Sequence, residues 1–141
     1  MNVKRFALSV VAVYVAYAIM AMGAEYLFKA QLESLEAIYR PTAERDSLMA
    51  VMLLGYLLNT VMFCYIFVKG REGKGLAEGA RYGLMIGLLY AGIDIAWHSY
   101  LPITATTTIV WVLVDVVMAV VAGVVLAAVY KPEGASKAAP A

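Results

Sequence analysis

The sequence predicts an all-α membrane protein: four transmembrane helices in an antiparallel bundle, with a short interfacial amphipathic segment between helices 1 and 2. Four apolar runs, 6–23, 47–68, 82–100 and 109–130, carry this reading. Each suits a bilayer core about 30 Å thick, which takes ~20 helical residues. Composition agrees, since 64% of the 141 residues are hydrophobic and 15% charged, against about 45–50% and 25% in soluble domains. Glycine recurs every fourth residue at Gly75, Gly79, Gly83 and Gly87, and Ala91 continues the series. That spacing makes one smooth helical stripe, which lets two backbones approach closely inside a membrane.

The same inventory excludes several classes. A net charge of +1 leaves no basic face for nucleic acid. Cys64 is the single cysteine and lies in an apolar run, so neither a disulfide framework nor a Cys-x-x-Cys motif exists. Its expected role is a small packing residue. No nucleophile stands beside a base in a recognisable motif, and no cofactor motif is present.

The first run comes after Lys4-Arg5 and ends at Ala21-Met22-Gly23, the outline of a cleavable signal peptide. It is long for such a segment, and the chain beyond it is itself apolar, so it is read as the first span. From Ala24 to Tyr39 the pattern becomes amphipathic. Phe28, Leu32, Leu35 and Tyr39 share one face, and Lys29, Glu33 and Glu36 occupy the others. Arg40-Pro41 ends this stretch, because the residue before proline is pushed out of the α region. Thr42 is the expected N-cap of the next helix, with Glu44 favourably placed in its first turn.

The second span carries Asn59 and Thr60 near its middle, placed to hydrogen-bond across to a neighbouring helix. Lys69-Gly-Arg-Glu-Gly-Lys-Gly75 then reads as a basic turn at the membrane surface, beside anionic lipid headgroups. It lacks the Gly-x-x-x-x-Gly-Lys-Ser/Thr spacing of a phosphate loop. Leu101 to Thr108 holds Pro102 and no charge, so spans three and four form a tight hairpin. Residues 132–141 are expected to be a disordered tail.

Basic residues orient the chain. Lys4, Arg5, Lys69, Arg71, Lys74, Arg81, Lys131 and Lys137 fall on one side; Lys29, Arg40 and Arg45 fall on the other. The positive-inside rule places both termini in the cytoplasm. Trp97 and Trp111 then fall near the opposite interface.

Arg40-Pro41, Gly75-Leu-Ala-Glu-Gly79-Ala-Arg81-Tyr-Gly83, Leu101-Pro102-Ile103 and Tyr130-Lys131-Pro132 resemble a group of small, uncharacterised bacterial four-span inner-membrane proteins. The resemblance covers most of the chain. It implies residence in the bacterial cytoplasmic membrane and brings no activity with it. It also implies an Asp or His pair late in span one, where this chain has only Glu25.

One polar cluster stands out. Projected at about 100° per residue, Asp94 and His98 fall within about 20° of Gly87. The fourth span has its own ladder, Trp111, Asp115, Ala119, Gly123 and Ala127. Facing ladders bring Asp94 and Asp115 to one level, about 10 Å below the helix ends, with His98 a turn further out. Glu25 at the outer end of span one can join them. An aspartate facing lipid would cost about 2.5–3.5 kcal/mol, so both should face protein or water. Two carboxyls at short range in low dielectric do not both ionise, so they should share a proton. His98 is the side chain in that interior able to offset a negative charge.

Four roles suit this cluster: hydrogen-bonding glue between helices, a proton- or ion-coupled path, a metal site from Asp94, His98 and Asp115, or haem ligation by His98. The expectation is a non-enzymatic structural or accessory membrane subunit, self-associating or docked on a larger membrane complex through its glycine stripe. The alternative is a small proton- or ion-coupled transporter, similar in size and span count to the small multidrug exporters. Those carry a glutamate in the middle of span one, where this chain has no acid between Phe6 and Gly23.

Overall fold

A computed structural model describes residues 2–33, 35 and 38–131. Among them every regular element is helical: α1 (Val3–Leu27), α2 (Lys29–Glu33), α3 (Thr42–Ser47), α4 (Met49–Gly70), α5 (Leu76–Trp97) and α6 (Ala105–Val129). Three of these, α1, α4 and α6, are long and apolar enough to cross a membrane. The chain is therefore an integral membrane protein by the length and composition of its helices. α5 has the same 22 residues as α4. Its glycines, Glu78, Arg81 and Asp94 lower its hydropathy, so composition alone does not mark it as a span. The expected disordered tail, 132–141, lies outside the described residues.

Several boundaries differ from the sequence reading, each for a local reason. α1 runs through Glu25 to Leu27 and breaks at Phe28, so the first turn of the amphipathic stretch belongs to the first long helix. Leu35 is buried and Tyr39 exposed; positions 34, 36 and 37 lie outside the described residues. Thr42 is the first residue of α3 and Pro41 takes the cap position. The Thr42 hydroxyl accepts from Arg45 Nη2 at 3.2 Å instead. A break at Leu48 separates α3 from α4, so the second long helix starts at Met49. Thr104 caps α6, accepting the Thr107 N–H at 3.2 Å. The α5–α6 connection is therefore shorter than expected, and Thr107 and Thr108 are buried in the first turn of α6.

α5 and α6 are the tightest pair. A Cβ built on Gly79 would lie 2.7 Å from Ala127 Cβ, one on Gly83 2.6 Å from Val120 Cα, and one on Gly87 2.8 Å from Val116 Cα. Position rises along α5 as it falls along α6. Ala91, Ala119 and Gly123 are buried in the same contact. Gly75 departs from the expected stripe: a Cβ there would meet open space, and its φ of +72° is left-handed. It is the N-cap of α5, so it serves the turn and not the packing.

The core lies at the end of the molecule that holds Asn2 and Lys131. Val10 and Val13 from α1 meet Phe63, Cys64 and Phe67 from α4, Tyr82 from α5, and Ala122, Leu126 and Tyr130 at the end of α6. The Tyr82 ring sits 4.8 Å from Phe63 and 5.3 Å from Phe67 between centroids, and its hydroxyl donates to the Phe63 carbonyl at 2.5 Å. Asn2 N–H donates to the Tyr130 hydroxyl at 3.2 Å, and Arg5 Nη1 to the Lys131 carbonyl at 2.6 Å. The other half is looser. Every residue of α4 from Met49 to Asn59 is exposed.

Candidate functional site

In that looser half, α5 and α6 bring Asp94 and Asp115 together. The two carboxyls lie within hydrogen-bonding reach of each other. Both line a cavity of about 410 Å³, walled by Phe28, Trp97, Leu101 and Trp111 among others. The small-residue contact explains why they meet. The register differs from the expected equal depth: Gly87 lies against Val116, so Asp115 sits beside that contact and Asp94 seven residues further along α5. Side chains tilt toward the N-terminus of their own helix, which in an antiparallel pair leans these two toward each other.

Asp94 Oδ2 is buried and accepts no hydrogen bond. An unsatisfied buried oxygen is costly, and its carboxyl neighbour is acceptor-only unless protonated. A proton on either carboxyl would make the pair a donor as well as an acceptor. Among the described residues no Lys or Arg lines the cavity.

A second polar contact lies one turn away. Tyr90, four residues before Asp94 and so on the same side of α5, donates to Asn59 Oδ1 on α4 at 2.8 Å. Tyr17 of α1 lies within electrostatic reach of Tyr90 and Asp115, and its buried hydroxyl has no hydrogen-bond partner. Each of the four long helices thus contributes a polar side chain to this region. Thr60 keeps its hydroxyl bond within α4, donating to the Tyr56 carbonyl at 2.8 Å.

His98 is placed differently from the sequence reading. It is exposed, and its Nδ1 lies 3.0 Å from the Thr108 hydroxyl. It joins the end of α5 to the first turn of α6 and is not among the residues that line the cavity. Glu25 is exposed on α1 and does not line the cavity. Among the described residues no three His, Cys, Asp or Glu side chains group as metal ligands.

At the opposite end, Glu78 organises the basic turn. Its carboxylate accepts the backbone N–H of Lys74 at 2.6 Å and that of Glu72. Glu78 is three residues into the helix capped by Gly75, the spacing at which an acid reaches back to free amides. Glu72 pairs with Lys74 Nζ at 2.5 Å and with Arg81 Nη2 at 3.6 Å. The hydrogen bond and charge of Lys74, then the charge of Arg81, hold the Glu72 carboxyl below its ordinary range. Lys69 and Arg71 lie over the rings of Tyr65 and Tyr130, at 5.6 and 5.3 Å. Lys69, Arg71, Lys74 and Arg81 thus have partners within the chain.

Sequence reasoning missed Tyr17, Tyr90 and Glu78. The position of Tyr90, one turn from Asp94, and that of Glu78, three after Gly75, were available signals. Tyr17 is one of ten tyrosines and had none. Comparison with known protein families, characterised proteins and solved structures finds no match to this chain.

Proposed function

We propose that the chain is a small four-span protein of the cytoplasmic membrane, with function resting on proton exchange at the Asp94–Asp115 pair. In this reading α5 is the remaining span, since it packs closely against α6 from Val116 to Ala127. The four long helices form an antiparallel bundle held by an α5–α6 glycine zipper, and α2 and α3 lie at the interface. Eight basic residues against three favour a cytoplasmic location for both termini. The resemblance to small bacterial four-span membrane proteins fits this architecture.

One observation carries the functional part. Asp94 Oδ2 is buried without a donor beside a second carboxyl, on the wall of a cavity and not sealed between helices. A carboxyl pair that shares a proton and borders open space can take up and release that proton, which is the working part of a proton- or ion-coupled transporter. Tyr17 and Tyr90 are titratable groups near Asp115, and His98 is engaged with Thr108.

The test is proton flux into proteoliposomes carrying an internal pH-sensitive dye. A pH gradient should drive flux through the wild-type protein, and Asp94→Asn or Asp115→Asn should abolish it while folding is retained. Equal flux in all three would end the transport reading.

A non-enzymatic accessory subunit is the second reading. It is favoured by α4, exposed along its whole first half. The glycine stripe is occupied by α6 of the same chain, so a second copy or a larger complex would dock on α4 instead.

A further inference from the structure

The cavity beside the carboxyl pair has the dimensions and walls of a ligand site. Its volume of about 410 Å³ falls in the range of roughly 300–1,000 Å³ typical of small-molecule pockets. Among the described residues that line it, Asp94 and Asp115 are the charged ones. Its other walls are apolar, dominated by the side chains of Trp97, Trp111 and Phe28, with Leu101 beside them.

We propose that this cavity binds a lipophilic organic ammonium, its charge against the Asp94–Asp115 pair and its apolar body among Trp97, Trp111 and Phe28. Charge complementarity selects the class. Among the described residues no cation lines the cavity, so an anionic ligand would meet the like charge of Asp94 and Asp115 there. A neutral apolar molecule would displace water from the carboxyls and offer them no donor in return, which is costly. Two carboxyls sharing one proton present a single net negative charge, which one monovalent cation matches. Indole and phenyl rings favour an ammonium over a hydrated metal ion, because they offer π faces and area but no ligating oxygen. The site lies toward the Trp97 and Trp111 end, so the ligand reaches it from that membrane face or from the bilayer interface.

This inference rests on the proton-sharing pair and can fail without it. The experiment is saturable binding of tritiated imipramine, a lipophilic tertiary ammonium, to the full chain in lipid nanodiscs. Iminodibenzyl, the same tricycle without the amine chain, is the neutral competitor, and an apolar carboxylate is the anionic one. Saturable binding is expected, displaced by unlabelled imipramine and by neither competitor. Asp94→Asn and Asp115→Asn should each weaken it about ten- to hundredfold, the range of a hydrogen bond to a charged group. Trp111→Leu should weaken it by a smaller factor.

Equal displacement by iminodibenzyl, or no saturable binding by folded wild-type protein, overturns the proposal. Both outcomes are read on the wild type and do not depend on a variant folding. A protonated-aspartate infrared band in ligand-free protein, with no imipramine binding, removes this inference and leaves the proton-sharing pair. Absence of that band removes the pair itself.

Discussion

His98 Nδ1 lies 3.0 Å from the Thr108 hydroxyl, closing the α5–α6 turn across ten residues of sequence. The only histidine of the chain is therefore a clasp at the mouth of the hairpin. Thr108 also approaches the Thr104 carbonyl at 3.3 Å. When its proton goes there, His98 must donate through Nδ1, which leaves Nε2 to the exterior. His98→Ala and Thr108→Val should each cost about 0.5–1.5 kcal/mol. A double-mutant cycle by denaturant unfolding should show that the two losses are coupled. Additive losses would mean that the pair does not act as a unit.

The glycines divide into three kinds, and substitution by alanine separates them. Gly83→Ala drives a methyl to 2.6 Å from Val120 Cα, so it should destabilise by about 1–3 kcal/mol. Gly75→Ala meets no atom but must hold a φ of +72°, and it should cost about 1 kcal/mol. Gly92→Ala meets open space within a helix and should be neutral or stabilising. Thermal melts of the three variants check the order.

Glu78→Ala should free the Glu72 and Lys74 amides, at a cost of about 1 kcal/mol. Hydrogen exchange at those two amides should accelerate, while exchange in α5 beyond its first turn stays unchanged. Protection that survives the substitution would assign the turn's order to other contacts.

Acid should loosen the same turn. The Glu72 carboxyl is held below its ordinary value, chiefly by Lys74. Its contribution is thus fully present above the ordinary carboxylate pKa and is lost as pH falls through the lowered one. An NMR titration of the Glu72 side chain should show the lowered midpoint. Lys74→Ala should return it toward the ordinary value.

How far the sequence foretold this structure depends on which residues set each feature. Periodicity is a local property, so the positions of Gly79, Gly83, Gly87, Ala119 and Gly123 along their helices could be read directly. Helix breaks at Phe28 and Leu48 could not, since neither residue is a strong breaker and each bend depends on packing. Gly75 looked like a member of the stripe because spacing says nothing about φ. His98 looked like a partner of Asp94 because both project near one face. The end of α5 at Trp97 instead puts His98 at the start of the turn, within reach of Thr108. Tyr17 comes from a helix remote in sequence, and only the tertiary arrangement brings it near Asp115.

The shared proton is tested most directly by isotope-edited infrared spectroscopy of the ligand-free chain in nanodiscs with labelled aspartate. Asp46, Asp94 and Asp115 are the only aspartates, and Asp46 is exposed on α3. At neutral pH one protonated, hydrogen-bonded aspartate signal is predicted for the two carboxyls, altered or lost in both Asp94→Asn and Asp115→Asn. A spectrum in which all three aspartates are fully ionised at neutral pH would contradict it.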